Sequence, residues 1–185
     1  MLPFSRITII GLGLIGSSVA RAIRANMPDV RITGYDADSG VRESARGLKF
    51  CDDIADNAGT AVIDADLVLL AVPVGAMGDV ATSFAADLPV DAIVSDVGSC
   101  KQSVFDALAK ALPSATIIPA HPVAGTEKSG PESGFASLFE GRWCILTPPD
   151  DAPEVAIERL KTFWQRLGAD VETMDARHHD MVLAV

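Results

Sequence analysis

Arg6-Ile7-Thr8-Ile9-Ile10-Gly11-Leu12-Gly13-Leu14-Ile15-Gly16 is the stretch on which the reading of the fold turns. Arg6–Ile10 is short, apolar and β-branched, as a strand buried on both faces requires. The three glycines follow at once, and Leu14–Asn26 then carries Ile15, Val19 and Ile23 at intervals of four, which predicts a helix with one apolar stripe. The sequence therefore reads strand, tight turn, helix.

In that context a G-x-G-x-x-G spacing has a specific chemistry. Gly11 permits the turn, Gly13 lets backbone approach a pyrophosphate, and Gly16 lets helix and strand pack closely. Amides of Leu14 and Ile15 at the helix N-terminus face the phosphates, helped by the positive end of the helix dipole. Asp36 ends the next predicted strand, Arg31–Tyr35, about 20 residues beyond the last glycine, where a carboxylate accepts from ribose hydroxyls. Asp36 repels a 2′-phosphate and no arginine adjoins it, Arg42 being the nearest, so NAD is expected over NADP. Val72 and Pro73, after the strand Leu67–Val72, and Gly98, after Ala92–Asp96, are expected beside the cofactor.

Further strands are predicted at Thr116–Ala120, Trp143–Thr147 and Asp170–Thr173, alternating with helices that include Lys101–Leu112 and Glu154–Leu167. This alternation predicts an α/β fold, Rossmann-type and doubly wound, around a mostly parallel sheet. Residues 1–175 form that dinucleotide-binding domain, and 176–185 begin a helix leading out of it. Because the chain stops at Met181-Val182-Leu183-Ala184-Val185, within an amphipathic pattern, that helix is expected to continue into a missing partner region. The loop-like segment from Thr126 to Gly141 is read as a flap.

Bulk properties narrow the function. A chain of 185 residues with 49% apolar composition supports one substantial core. A net charge of −10 and a pI near 4.6 argue against nucleic acid and anionic membrane surfaces as partners. No apolar run is long enough to span a bilayer, and a cytoplasmic location is expected. Cys51, Cys100 and Cys144 are widely spaced and read as reduced thiols, with no metal site expected.

Two predicted strand ends carry the remaining polar chemistry: Val97-Gly98-Ser99-Cys100-Lys101 and His121-Pro122-Val123-Ala124-Gly125-Thr126-Glu127. Oxidising an alcohol by hydride transfer requires a base for the hydroxyl proton, and His121 is the candidate, oriented by Ser99. Lys101 reads equally as a charge near the ligands or as a solvated first-turn residue. His178-His179-Asp180 is read as a surface or interface feature, since adjacent histidines diverge on a helix.

The glycine loop, the Asp96–Lys101 segment and the His121–Glu127 segment together resemble signature segments of the prephenate/arogenate (cyclohexadienyl) dehydrogenase family, in the family's order. The resemblance implies NAD-dependent oxidative decarboxylation of prephenate or arogenate to 4-hydroxyphenylpyruvate or tyrosine. It also implies His121 as base, Ser99 bonded to it, and Thr126 and Glu127 at the substrate mouth. A C-terminal helical dimerisation domain, entered at a His-Asp pair that His179-Asp180 matches, and a homodimer are implied as well. The alternatives are a β-hydroxyacid or imine-reducing dehydrogenase, which uses a lysine, and a non-catalytic NAD sensor.

Overall fold

The structure is a computed structural model and describes residues 2–183. Its larger sheet contains β1 (Arg6–Ile10), β2 (Arg31–Tyr35), β3 (Asp53–Ile54), β4 (Leu67–Leu70), β5 (Ile93–Asp96) and β6 (Thr116–Ile117). All six strands are parallel, in the order β3-β2-β1-β4-β5-β6. The order reverses between β2 and β4 around β1, which opens a crevice at the carboxyl end of β1.

Successive side chains of the central strands point to opposite faces, and both faces are buried. Ile7, Ile9, Leu67, Leu69 and Ile93 pack on one side with α1 (Leu14–Asn26) and α6 (Glu154–Arg166). Ile10, Val68, Leu70, Val94 and Ile117 pack on the other, against α3 (Ala58–Val62), α4 (Met77–Phe84) and α5 (Gln102–Ala111). α2 (Ser39–Leu48) starts on Asp38, whose side chain accepts from the amides of Gly40 and Val41.

A second sheet was not expected. The predicted strand Thr116–Ala120 divides into β6 and β7 (Ala120–Pro122), and β7 joins β8 (Trp143–Leu146) and β9 (Asp170–Thr173) in the order β7-β8-β9. β7 runs antiparallel to β8, and β8 parallel to β9. The cause is Pro119, which lacks an amide to continue the parallel ladder. The amide of Ile118 makes the last bond to Val94, and the carbonyl of Pro119 then accepts from Thr147. β3 also escapes the periodicity, because a two-residue edge strand beginning on an aspartate carries no apolar run.

The segment read as a flap is packed down. Gly134 lies so close to α1 that a Cβ there would come within 2.2 Å of the Ser17 hydroxyl, and the amide of Phe135 donates to Ser18 Oγ at 3.1 Å. Residues 125–129, at the start of the segment, form an exposed loop. The last helix, α7 (Ala176–Leu183), packs on α5; residues 184 and 185 of the expected apolar terminus lie outside the described residues. Among the described residues no helix is long and apolar enough to cross a membrane.

Candidate active site

At the end of β1 the three glycines play three different parts. Gly11 has φ +96°, and a Cβ there would lie 2.3 Å from the carbonyl oxygen of Ala71. A Cβ on Gly16 would lie 1.9 Å from the carbonyl oxygen of Gly11, so its absence is what allows the helix to start against the turn. Gly13 differs, since a Cβ there meets nothing within 4 Å. Open space above bare backbone, at a helix start with no side-chain cap, is the cradle a pyrophosphate would fill. Gly13, Leu14 and Ile15 are partly exposed there, whereas Gly11, Leu12 and Gly16 are buried.

Asp36 adjoins this cradle. Its carboxylate accepts from the Leu12 amide at 2.8 Å and from the Asp38 amide at 3.0 Å, so the acid and the glycine loop are locked together. Arg42 donates to the carbonyls of Asp36 and Ala37 at 2.7 and 3.1 Å, and its guanidinium lies 5.8 Å from the Tyr35 ring centre. The residues present therefore fit a dinucleotide. The turn Val72-Pro73 leaves β4 at the same edge, with Val72 half-buried and Pro73 exposed.

Ile10, Leu70 and Asp96 are in register across β1, β4 and β5, so the loops after these strands share one edge. Asp96 is fully buried and closes an ion pair with the fully buried Lys101. Lys101 is thus neither a solvated helix residue nor a free charge for a ligand, because its ammonium is consumed inside the protein. The pair does structural work on the next segment: Lys101 Nζ donates to the Ala120 carbonyl at 2.7 Å, and Asp96 accepts from the Ala120 amide at 3.2 Å. Burial pushes the Asp96 carboxyl up and the Lys101 ammonium down, and each partner opposes the other's shift. Asp96 also takes the Gly98 amide at 2.7 Å, so that amide is not free for a cofactor. Gly98 is buried against Val74 and Met77.

Ala120 so clamped delivers His121 to the edge. The ring is half-buried, and its Nδ1 lies 2.9 Å from Nε2 of His179. The expected partner, Ser99, is exposed and does not make this bond. Geometry explains the difference, since the turn after β5 directs the amide of Gly98 back into Asp96 while α7 brings His179 against the imidazole. His179 is fully buried, contrary to the surface role expected of it, whereas His178 is exposed. Thr126 and Glu127 lie in the exposed loop beyond Pro122, and Thr126 Oγ1 accepts from the Lys128 amide at 3.2 Å.

His179 Nδ1 in turn lies 2.9 Å from Oδ1 of Asp180. Asp180 accepts from the Lys101 and Gln102 amides at 2.7 and 2.9 Å, so it caps α5 from a different helix. Desolvation works against its charge, but these amide bonds and His179 hold its carboxyl below the usual range. His121 is driven down to about 4, first by burial, then by repulsion from His179 and Lys101, against the attraction of Asp180. It is an unprotonated imidazole at neutral pH.

Asp96, His179 and Asp180 lie outside the set expected to act. Two signals pointed to them: an acid ending the fully buried strand β5, and a histidine falling at helical spacing from Ala176, Val182 and Leu183. Among the described residues no cluster of three His, Cys, Asp or Glu could hold a metal ion.

Comparisons with known proteins bear on the family and the fold. The family described as "Prephenate dehydrogenase, nucleotide-binding domain" matches residues 19–173. A cyclohexadienyl dehydrogenase of Zymomonas mobilis is 49% identical over all of this chain, which spans 63% of that protein. A prephenate dehydrogenase of Bacillus subtilis is 36% identical over 97% of the chain and 49% of its own length. Among solved structures, prephenate dehydrogenase from A. aeolicus, in complex with hydroxyphenyl propionate and NAD+, superposes with a TM-score of 0.89 at 31% identity. That match covers 96% of this chain and 62% of the other.

Proposed function

Because the chain belongs to the prephenate dehydrogenase family, as its nucleotide-binding domain, we propose that it supplies the cofactor site and the base for an NAD-dependent oxidative decarboxylation. The substrate is prephenate, arogenate or both, and the product 4-hydroxyphenylpyruvate or tyrosine. One observation carries the reading: His121 follows Ala120, which Asp96 holds at the carboxyl end of β5 in register with the end of β1 where the glycine loop begins, and its Nδ1 is occupied by His179 with no described residue bonded to Nε2.

Gly13, Leu14 and Ile15 would hold the pyrophosphate and Asp36 the adenosine ribose, which favours NAD. When bound, the nicotinamide ring takes up the hydride. His121 accepts the ring hydroxyl proton on Nε2 as the carbon–oxygen double bond forms. Electrons of the carboxylate's C–C bond then complete the aromatic ring as carbon dioxide leaves, and the same proton returns to the phenolate oxygen. The base need only receive and return one proton, and the gain of aromaticity drives the rest. Ser99, exposed at the turn after β5, would contact the substrate hydroxyl, and Thr126 and Glu127 the substrate's side chain.

The test is reduced-cofactor formation from prephenate and from arogenate, with NAD and NADP compared, in the full-length protein and its His121→Asn variant. The variant is expected to bind NAD normally and turn over about 10²- to 10⁴-fold more slowly. Equal turnover by the two proteins would defeat the assignment of the base.

A further inference from the structure

His121, His179 and Asp180 form a linear chain of hydrogen bonds, each 2.9 Å long, that ends on the N-terminus of α5. The direction of each bond follows from its far end. Asp180 is a carboxylate fixed by two backbone amides, so it can only accept, and His179 must carry hydrogen on Nδ1. Where that is the only hydrogen on His179, its Nε2 is a lone pair, and the bond between the rings then requires the hydrogen on His121 Nδ1. That leaves the lone pair of His121 on Nε2.

We propose that His179, backed by Asp180, is a positioning residue that fixes His121 in the tautomer whose Nε2 can take the substrate proton. The proposal rests on His121 being the base and adds what makes it one. An imidazole without such a partner has both tautomers open to it, and the one with hydrogen on Nε2 presents a donor where an acceptor is needed. When His121 gains its proton, the hydrogen on Nδ1 remains directed at His179. The positive charge is thus drawn toward Asp180 rather than stranded in a half-buried site. The charged side chains acting on the ring besides His179 are Lys101, just before α5 and already paired with Asp96, and Asp180 from α7, whose negative charge lies at the far end of the relay.

The experiment reads the tautomer directly, by the nitrogen chemical shifts of His121 in full-length protein labelled at histidine, alongside kcat and the KM for NAD. Hydrogen on Nδ1 is expected in the wild type. His179→Leu is expected to move it to Nε2 and to lower kcat by about 10²- to 10⁴-fold, the cost of a wrong tautomer, with the KM for NAD unchanged. His179→Gln, whose amide oxygen can still accept from Nδ1, is expected to keep the tautomer and recover most of the rate. Hydrogen on Nε2 in the wild type would overturn the proposal, and this needs no variant to fold. Equal rates in the leucine and glutamine variants, or an unchanged tautomer in His179→Leu, would do the same. Full turnover by His121→Asn would remove the base itself, which separates failure of the functional reading from failure of the relay.

Discussion

Lys101 donates from Nζ to the carbonyl of Ala120 at 2.7 Å, across 19 residues of sequence. The residue that precedes the candidate base is held by a buried ammonium and its carboxylate partner because β6 has already left the sheet at Pro119. Where strand pairing ends, an ion pair takes over its hydrogen bonds.

Lys101→Met is therefore expected to destabilise the fold by about 3–5 kcal/mol, since it leaves Asp96 charged, buried and without its counter-ion. Chemical denaturation measures this. A double variant with Asp96→Leu should recover part of the loss, because the uncompensated charge is gone, although it also removes the acceptor of the Gly98 and Ala120 amides.

Gly13→Ala and Gly16→Ala should behave oppositely. At Gly13 the added methyl enters open space, so thermal stability should be unchanged while NAD affinity falls. At Gly16 it meets backbone at 1.9 Å, so the protein itself should melt earlier. Calorimetry with and without NAD separates the two, and equal loss of stability in both variants would contradict the roles given to these glycines.

Asp36→Asn removes the charge that bonds the Leu12 amide and that is proposed to hold the ribose. NAD affinity is expected to drop about 10- to 100-fold, the worth of a charge-assisted hydrogen bond. The ratio of NADP to NAD activity should rise as repulsion of a 2′-phosphate is lifted. Steady-state KM values for both cofactors test this.

The pH dependence follows from His121, held at about 4 against an ordinary 6.5. Between those values the unfolded chain binds a proton that the folded chain refuses, so this group's contribution to stability is complete above 6.5 and lost as pH falls through 4. Activity should outlast the ordinary histidine range on the acid side. The acid limb of kcat/KM is expected near 4. A limb centred on 6.5 would contradict the burial and repulsion assigned to the ring.

Much of this was legible in the sequence because the signals are local. Strand, glycine turn and helix lie within 21 residues of one another, and α1 matches its predicted limits, Leu14–Asn26, at both ends. The segment around His121 was legible for the same reason, although the residue lies within β7 and not beyond a strand. Its partner was not. His179 lies 58 residues away and reaches the ring only because α7 docks on α5, and nothing in local periodicity reports which buried groups meet. The ambiguity of Lys101 had the same origin, since a lysine at a helix start reads as solvated until the carboxylate beneath it is known. The separate sheet was hidden because a run of β-branched residues looks continuous through a proline that divides it.

The clamp on Ala120 has one more consequence, for spectroscopy. Its amide hydrogen is bonded to the Asp96 side chain and not to a strand carbonyl, so its protection from deuterium exchange tracks the ion pair and not the sheet. Every other bond in the β7–β8 ladder could stay closed while this one opened. A single peak in an amide spectrum can therefore act as a gauge of how firmly the floor beneath the His121 ring is held, read in the resting protein and without substrate.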